Sequence, residues 1–500
     1  MSALPAPHVP AADVFDGLQP SSVWKHFATL CAIPRMSRQE ARLREHIRAW
    51  ALAQGLAARV DTAGNLIINK PGSAGFEAAP AMALQAHLDM VCQKNAGSAH
   101  DFTQDPITPV RREGWLEAEE TTLGADNGIG VALILATLED RRLVHGPLEA
   151  LLTVDEETGM SGAHGLAPGE LRATAMLNLD TEEWGEFYLG CAGGADVNVR
   201  REGVPRPLPA GHEVWRISLR GLRGGHSGAD IHEERGNAIK LLVRVLMDLG
   251  KRLEYGLCSL QGGTARNALA REAFARIALS AAAAPALAPF LAGQQAMLRR
   301  ELRGVDEALA LDAAPDVAGP LMASTEQQAW LRLLHAAPHG VRRMSRQVPG
   351  VVETSNNLGM VDLGPGEGSC NFMVRSLLNE GTRVLAEEIA SLFALGGTPA
   401  QITGEYPGWT PNPDSRLLAL CQSVYRARFG GDSQIKVIHA GLECGIIGGK
   451  YPKMDIVSFG PTIRGAHAPG ERVEIKSVEK CWNLLRDILS QAAGRPPAAL

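Results

Sequence analysis

Histidine and acidic residues recur in this sequence directly after apolar runs that have strand character. In "MALQAHLDMVCQKN", at positions 82–95, such a run ends in His87, and Asp89 follows two positions later. Side chains alternate across a strand, so we expect His87 and Asp89 on one face. A metal-binding histidine commonly gives its second ring N–H to a carboxylate, which orients the ring. The pair therefore indicates a metal site.

Further acidic residues and one further histidine stand in comparable places. Each follows a strand-like run or precedes a helical one, and they are Asp126 in "TTLGADNGIGVALILATL", Asp155, Glu156 and Glu157 in "LLTVDEETG", Asp180 in "MLNLDTEE" and His467 in "IVSFGPTIRGAH". In open α/β sheets, sites form beyond the carboxyl ends of the strands. Imidazole and carboxylate groups gathered at that edge have the ligand chemistry of one or two zinc-like ions.

Each residue also has an ordinary structural interpretation. Asp126 and Asp180 could simply cap a helix or a turn. Glu156 and Glu157 could be solvated turn residues, and His467 could be a surface histidine. We favour the metal interpretation because these residues occur together in one chain.

The elements around these residues predict an α/β domain that is interrupted by an α+β module. Up to residue 196, helical patterns such as "EARLREHIRAWALAQGL" alternate with strand-like runs, which is the α/β signature. Residues 197–403 instead combine strands, a glycine loop and long helices, as in "EVWRISLRGLRGGHSGADIHEERGNAIKLLVRVLMDL". Residues 404–500 return to the first pattern. We therefore expect one domain formed by 1–196 and 404–500, with an inserted module at 197–403.

Composition argues against several classes of function. The net charge of −6 is small for 500 residues and indicates neither a nucleic-acid partner nor a membrane surface. The N-terminus has no secretory signal pattern, and the most apolar later stretch, residues 273–293, is interrupted by Pro285 and Pro289. The eight cysteines form no C-x-x-C pair, which fits free thiols in a reducing compartment. We expect a cytoplasmic protein.

Five segments together resemble the M20 metallopeptidases, and in particular their aminoacyl-histidine dipeptidase subgroup. They are "HLDMVCQK", "TTLGADNGIGVA", "DEETGMSGA", "NLDTEEWGEFYLGCAGG" and "RGGHSGADIHEERGNA". The H-x-D and E-E-T-G signals occur across the wider superfamily, whereas the second and fifth segments are far more specific. The resemblance implies a zinc-exopeptidase-like catalytic domain, with a mixed sheet flanked by helices, and an α+β lid domain.

The resemblance also implies two divalent metal ions that share five ligands. His87, Asp126 and Asp180 would surround one ion. Asp126, Glu157 and His467 would surround the second, so Asp126 would bridge the two. Zn²⁺ is the favoured metal, and Co²⁺ or Mn²⁺ also suits this ligand set.

Three further residues receive roles in the reaction from the resemblance. Asp89 would orient His87, and Glu156 would act as general base on a water and return the proton to the leaving amine. We expect Glu156 and Glu157 to diverge in an extended segment, so that one can ligate while the other faces the water. His226, in the glycine loop of the inserted module, would stabilise the oxyanion.

Substrate recognition is assigned in the same way. Asn267 and Arg375 match positions expected to hold the terminal carboxylate of the substrate, and the planar fork of an arginine suits that task. A structural arginine on a strand is an equally good interpretation of Arg375. The segment "HAGLECGIIGG" is expected to line the pocket, and whether His439 or Glu443 contacts the substrate stays open.

The predicted function is hydrolysis of dipeptides, including Xaa-His and carnosine-like substrates, by a homodimer formed through the lid domain. Whether His226 acts within its own chain or on the partner subunit stays open. The first alternative is an acyl-amino-acid deacylase or tripeptide aminopeptidase on the same fold. The second is a non-catalytic, metal-dependent binding protein. A phosphoryl-transfer enzyme is disfavoured because no G-x-x-x-x-G-K-[ST] loop is present.

Overall fold

The computed structural model describes residues 14–412 and 414–494. Its α-helices in chain order are α1 (Ser21–Ala32), α2 (Ala41–Ala53), α3 (Ala125–Glu139), α4 (Glu156–Gly159), α5 (Ser161–Gly165), α6 (Ala238–Leu249), α7 (Leu287–Glu301), α8 (Ser324–Ala336), α9 (Asn379–Leu395), α10 (Arg416–Phe429), α11 (Glu443–Lys450) and α12 (Ile475–Ala493). Short 3-10 helices lie at Ile231–Glu233 and Ala284–Ala286.

The strands are distributed along the whole described chain. In chain order they are β1 (Ala57–Val60), β2 (Leu66–Lys70), β3 (Met82–His87), β4 (Pro109–Arg112), β5 (Trp115–Ala118), β6 (Leu148–Thr153), β7 (Ala175–Asn178), β8 (Glu186–Cys191), β9 (Gly193–Glu202), β10 (His212–Arg220), β11 (Gly256–Gly262), β12 (Ala273–Ser280), β13 (Ala310–Asp316), β14 (Gly340–Met344), β15 (Val352–Leu363), β16 (Glu367–Ser376), β17 (Ala400–Tyr406), β18 (Gln434–Ile438), β19 (Asp455–Ser458), β20 (Ile463–Arg464) and β21 (Arg472–Glu474).

The described residues divide into two compact units. Unit 1 contains residues 14–190, 411–437 and 443–494, and unit 2 contains residues 191–410 and 438–442. These bounds lie several residues outside the expected module of 197–403, because β9 pairs with β17 and brings both ends of the module into one sheet. The short return of 438–442 to unit 2 has no counterpart in the sequence-based division.

Unit 1 is built on a mixed sheet with the strand order β1-β2-β6-β3-β7-β19-β8-β18. Its centre is parallel, because β3 pairs in parallel with β6 and β7, and β7 with β19. Strands β3 and β6 are buried along their whole length, as parallel strands covered by helices are. The four central strands therefore end at one edge of the sheet. The predicted α/β class is confirmed.

Helix α3 is the buried helix of unit 1. Its sequence "GIGVALILATL" is apolar all round, and such a helix is stable only when other elements surround it. It packs against β3 and α1. This packing holds the first turn of α3, which contains Asp126, near the exit of β3.

Unit 2 is an antiparallel sheet with helices, which is an α+β arrangement. Its strand order is β13-β10-β12-β11-β15-β16-β9-β17, with β14 paired to β15. Helix α6 buries one apolar face, and the side chain of Asn237 caps it by accepting the N–H groups of Ile239 and Lys240. In this unit the apolar stretch at 273–293 forms β12 and the beginning of α7. Among the described residues, no helix combines the length and apolar character needed to cross a membrane.

Candidate metal centre

The predicted ligands meet at the carboxyl edge of the parallel strands. His87 is the last residue of β3, and Glu157 follows β6 within α4. Asp180 follows β7, and the chain leaving β19 reaches His467. Asp126 comes from the first turn of α3. Parallel pairing thus converts separate sequence positions into one cluster.

Asp126 lies at the centre of this cluster, between two histidines. His87 Nε2 is 3.2 Å from Asp126 Oδ1 and 3.3 Å from Asp180 Oδ1. His467 Nε2 is 3.3 Å from Asp126 Oδ2 and 3.1 Å from Glu157 Oε2. One ligand atom from each of His87, Asp126 and Glu157 lies within 4.8 Å of the others. The structure therefore brings all five predicted ligands together.

Asp89 connects the first histidine to the acidic pair. Its Oδ1 lies 3.4 Å from His87 Nδ1 and accepts the N–H of Glu156 at 3.0 Å. Its Oδ2 accepts the N–H of Glu157 at 3.1 Å and the hydroxyl of Ser37 at 2.8 Å. Asp89 is fully buried. Its carboxylate therefore orients the His87 ring and the backbone of the acidic pair together.

The expected extended conformation at Glu156 and Glu157 is wrong, because both residues belong to the one-turn helix α4. Asp155 precedes the helix with φ 59°, a left-handed conformation that turns the chain sharply after β6. Successive residues of a helix are rotated by roughly 100° about its axis, so the two side chains still diverge. Glu157 contacts His467, whereas the Glu156 carboxylate makes no hydrogen bond to another described residue.

The side chains of the centre carry an excess of negative charge. Burial opposes protonation of His87, yet the charge of Asp180 and hydrogen bonds to carboxylates raise its pKa well above the usual value. Hydrogen bonds to two carboxylates raise the pKa of His467 to about 11. Burial, together with neighbouring carboxylates, raises the pKa of Glu156 well above its usual value and that of Asp180 to about 6. These four side chains therefore hold protons more tightly than usual, because each proton reduces the excess negative charge of the cluster.

These residues fit divalent cations. Imidazole nitrogen and carboxylate oxygen are ordinary zinc ligands, and metal binding displaces the protons that such ligands otherwise hold. Glu157 Oε1 is buried and has no hydrogen-bond partner among the residues that the structure describes. An unpaired buried carboxylate oxygen costs free energy unless a cation or donor satisfies it. The donor set, the excess charge and this oxygen agree with a metal centre.

Glu471 is a site residue that sequence reasoning missed. It is buried, and its Oε2 accepts the N–H groups of Leu123 and Gly124, each at 2.8 Å. Its Oε1 accepts the N–H of Asp126 at 3.1 Å. The one feature of the sequence that could have indicated a role for Glu471 is its position four residues after His467 in "HAPGER". An acidic residue in a turn gives no indication of a partner 345 positions away.

Arg35 is a second residue that sequence reasoning missed. Its Nη1 donates to the carbonyl oxygens of Leu88 at 3.0 Å and Asp89 at 2.8 Å, and its Nη2 donates to that of Gly124 at 2.5 Å. The guanidinium therefore connects the chain after β3 to the chain before α3. Both connected segments carry predicted ligands.

Glu443 lies inside unit 1 with no exposed surface. Its Oε2 accepts hydrogen bonds from Gln85 Nε2 at 2.7 Å and Thr153 Oγ1 at 2.6 Å. Burial raises its pKa to about 8. Gln85 and Thr153 belong to β3 and β6, so Glu443 supports the strands that end in the ligands.

In unit 2, His226 is held as a neutral hydrogen-bond donor. Its Nδ1 accepts the N–H groups of Gly228 at 3.2 Å and Ala229 at 2.9 Å, which places the ring proton on Nε2. Its own backbone N–H donates to Asp230 Oδ2 at 2.7 Å. Burial and the charge of Arg375 lower the pKa of His226 to about 4. The ring is therefore uncharged at neutral pH.

Arg375 is buried on β16 without an anion. Its Nη1 donates to the hydroxyl of Tyr406 at 2.8 Å, and its Nε has no partner among the described residues. In residues 14–412 and 414–494, no carboxylate forms an ion pair with it. Nearby, His439 Nε2 and Ser355 Oγ are 2.7 Å apart, and His439 Nδ1 is buried and unpaired within the same described residues. A buried cation in this state suits an anionic ligand.

The loops of His226 and Asn267 lie side by side in unit 2. The N–H of Ser227 donates to the carbonyl oxygen of Asn267 at 2.8 Å, and the side chain of Asn267 is exposed. A Cβ on Gly228 would lie 2.0 Å from the carbonyl oxygen of His439 and 3.1 Å from Arg375 Cδ. Only glycine allows this close approach. The predicted metal ligands thus belong to unit 1, and the predicted oxyanion and substrate residues belong to unit 2.

Comparison with known proteins gives matches over nearly the whole chain. Residues 83–491 match the sequence profile of Peptidase family M20/M25/M40. The cytosol non-specific dipeptidase of Escherichia coli is 44% identical over 476 residues, which cover 95% of this chain and 98% of that relative. The crystal structure of aminoacylhistidine dipeptidase from Vibrio alginolyticus matches with a TM-score of 0.87 and 41% identity, covering 95% and 98% of the two chains. Aminopeptidase PepT from Bacillus cereus, with a TM-score of 0.55, 15% identity and coverage of 95% and 99%, shares the fold alone.

Proposed function

Since the chain belongs to the peptidase family M20/M25/M40, as its motifs predicted, we propose that it is a metal-dependent dipeptidase. The observation that carries this proposal is the convergence of five imidazole and carboxylate groups, with Asp126 at their centre, at the carboxyl edge of the sheet. The similarity to two dipeptidases over 95% of the chain supports a peptide substrate. The name of the Escherichia coli relative and the eight free cysteines support a location in the cytoplasm.

Two divalent cations, with Zn²⁺ favoured, would be held by the five clustered ligands. His87, Asp126 and Asp180 would hold one, and Asp126, Glu157 and His467 would hold the other. When bound, such ions polarise an amide carbonyl and lower the pKa of water toward about 7. Proton transfer, oxyanion stabilisation and substrate binding would be carried out by side chains of this chain.

Glu156 is the proposed general base. Its carboxylate is beside the ligands but makes no hydrogen bond to another described residue, so it is able to accept a proton from water. It would then deliver that proton to the leaving amine nitrogen. Asp89 acts through others: it holds the His87 ring and the backbone of Glu156 in fixed orientations.

His226 is the proposed donor to the oxyanion. Its Nδ1 is occupied by two backbone donors, so Nε2 presents its proton to a ligand. Arg375, whose positive charge has no carboxylate partner among the described residues, would bind the terminal carboxylate of the peptide. The exposed side chain of Asn267, on the loop beside His226, would assist in that contact.

Unit 2 is the proposed lid and dimerisation domain, and we infer a homodimer formed through it. This proposal is supported by the distribution of the proposed site residues. Unit 1 contains every proposed metal ligand, and unit 2 contains His226 and Arg375. A separate module that carries reaction residues can serve its own chain or a partner subunit. The subunit-mixing experiment described in the Discussion distinguishes these arrangements.

The test is a hydrolysis assay with a panel of substrates. We expect cleavage of dipeptides, including ones with C-terminal histidine and β-alanyl-histidine, loss of activity with a chelator, and recovery with Zn²⁺, Co²⁺ or Mn²⁺. Glu156→Gln protein, purified in parallel, controls for contaminating peptidases. Preferential cleavage of tripeptides or N-acyl amino acids would replace the dipeptidase proposal with one of those activities. A protein that binds metal but cleaves none of these substrates would be a binding protein on a peptidase fold.

A further inference from the structure

The chain between β20 and β21 reaches the metal centre at two points. His467, with φ 66°, contacts Asp126 and Glu157 through its ring. Four residues later, Glu471 accepts backbone N–H groups from the segment that begins α3. The same turn therefore contains one proposed ligand, His467, and binds the backbone of another, Asp126.

The segment whose N–H groups Glu471 accepts, residues 123–126, has an irregular backbone. Gly124 has φ 71°, and Asp126 has φ −81° and ψ 113°, which is outside the helical region although it lies within α3. A helix that begins irregularly leaves N–H groups without intrahelical acceptors. The Glu471 carboxylate accepts the N–H group of Asp126 at 3.1 Å, and it also accepts the N–H groups of Leu123 and Gly124, just before the helix, at 2.8 Å each. Glu471 thus determines where the backbone of Asp126 lies.

We propose that Glu471 is a positioning residue that couples the two sides of the proposed metal centre. It sets the backbone of Asp126 and, through the turn of 467–471, in which its own N–H donates to the carbonyl oxygen of Ala468 at 3.2 Å, the ring of His467. Both side chains belong to the ion that Asp126, Glu157 and His467 would hold. The other ion would also take Asp126, but its two remaining ligands, His87 and Asp180, follow β3 and β7 and have no bond to Glu471.

The inference rests on the proposed two-metal centre and predicts an unequal effect on its ions. An amide at position 471 has one acceptor oxygen and one NH₂ donor, so it cannot accept on both sides as the carboxylate does. The NH₂ would face backbone N–H groups and push that segment away. Residues that orient metal ligands typically contribute about 10- to 100-fold to metal affinity. We expect the ion of Asp126, Glu157 and His467, two of whose ligands depend on Glu471, to be weakened by this amount. The other ion, of whose ligands only Asp126 depends on Glu471, should be weakened less.

The experiment uses full-length Glu471→Gln and Glu471→Asp proteins with Glu149→Gln as the matched control. Glu149 is likewise a buried glutamate of unit 1 that accepts two backbone N–H groups, from Arg172 and Ala173 at 2.8 Å each. It stands at the opposite end of β6 from the ligands. Each protein is titrated with Zn²⁺ in competition with a chromophoric chelator, and its bound metal is measured by elemental analysis after dialysis. Thermal unfolding of the metal-free proteins reports folding.

The inference is supported by two Zn²⁺ equivalents in the wild type and in Glu149→Gln, and by one equivalent weakened more than the other in Glu471→Gln. Glu471→Asp, whose side chain is one methylene shorter, should change in the same direction and serves if the amide variant does not fold. Equal weakening of both ions, or wild-type affinity in both Glu471 variants, overturns the inference. The same loss in Glu149→Gln also overturns it, because the effect would then follow from any buried glutamate. Fewer than two equivalents in the wild type would instead refute the proposed two-metal centre.

Discussion

Unit 1 gathers carboxylates around two histidines, whereas unit 2 buries Arg375 beside neutral histidines and a tyrosine. In unit 1 the two histidine pKa values are raised, because several carboxylates share few cations. In unit 2 the pKa values of His226 and His439 are lowered, by burial first and then by the charge of Arg375. One unit is therefore prepared for cations and the other for an anion.

The two regions also differ in how their residues are held. Among the proposed ligands of unit 1, His87, Glu157 and Asp180 follow parallel strands, and charged side chains such as Arg35 and Glu471 bind the backbone nearby. His226 of unit 2 lies in a glycine loop, and Arg375 contacts a hydroxyl group. A metal centre needs fixed distances. A site that binds a peptide carboxylate tolerates side chains that are held by fewer hydrogen bonds. Variants of the two units test this difference.

Removal of the shared ligand should have the largest effect. Asp126→Ala leaves two histidines and two proposed cations without the carboxylate between them, so at least one metal equivalent should be lost in elemental analysis. Turnover should fall by at least about 10⁴-fold, the upper end of what loss of a general base alone costs. Retention of both equivalents would mean that Asp126 serves unit 1 as the start of α3 and not as a ligand.

Removal of the proposed base should reduce turnover while leaving the metal in place. In Glu156→Gln the amide is nearly isosteric but cannot accept the proton. We expect kcat to decrease by about 10²- to 10⁴-fold with wild-type metal content. The comparison of kcat with metal content separates this variant from Asp126→Ala. Near-normal kcat would exclude Glu156 as the base.

His226→Ala should lower kcat by about 10²- to 10³-fold with unchanged metal content, because it removes a donor and no ligand. Its partner in a mixing test is Glu156→Gln, with subunit exchange verified by a tag on one protein. If His226 acts on the partner subunit, each mixed dimer has one intact site and one with both defects. About a quarter of wild-type activity should then return at equal mixing, because half of the dimers are mixed. Verified exchange without recovered activity would assign His226 to its own chain.

Tyr406→Phe tests the hydrogen bond that holds Arg375 in the anion site. The variant removes the hydroxyl that accepts from Arg375 Nη1, so Arg375 should be less well oriented for the peptide carboxylate. Since a hydrogen bond contributes roughly 0.5–1.5 kcal/mol, KM should rise by about 3- to 10-fold while kcat changes little. The control is Tyr425→Phe, which changes a tyrosine of unit 1 whose ring packs at a tilt against the rings of Trp184 and Phe429. Equal KM values in all three proteins would show that the Tyr406 hydroxyl does not orient Arg375 for the substrate.

His439→Gln should have the smallest effect, confined to acid stability. Burial lowers the pKa of folded His439 from 6.5 to about 3, so below pH 6.5 the unfolded chain takes up the proton first. Stability is therefore lost as the pH falls from 6.5, by up to about 1.4 kcal/mol per pH unit for one such group. Glutamine is uncharged and can still bond to Ser355. Thermal unfolding of metal-free protein should show a weaker pH dependence in the variant; parallel curves would contradict the buried neutral ring.

The sequence by itself determined the α/β class and the set of clustered residues. Strand patterns end at His87, at the residues before Glu157 and at Asp180, and parallel strands expose their ends at a common edge. Local periodicity carries this information for His87, Glu157 and Asp180, because each lies within a few residues of its own parallel strand. Asp126 lies instead in the first turn of α3, and His467 lies well beyond the end of β19. The same local reasoning was wrong for the conformation at Glu156, since the left-handed turn at Asp155 begins a helix there.

The tertiary structure decided which distant residues hold that cluster in place. Glu471 and Asp126 are 345 positions apart, Glu443 and Thr153 are 290 apart, and Arg35 and Gly124 are 89 apart. The contacts of Glu471 and Glu443 join the last part of the chain to the first part, as does the sheet itself, in which β19 lies beside β7. The contact of Arg35 joins the chain after α1 to the chain before α3. Periodicity within a segment specifies which face of the helix or strand is buried. It does not specify which other element covers that face. A buried glutamate or arginine therefore acquires its partner through strand order and helix packing, which the pattern of a single segment does not contain.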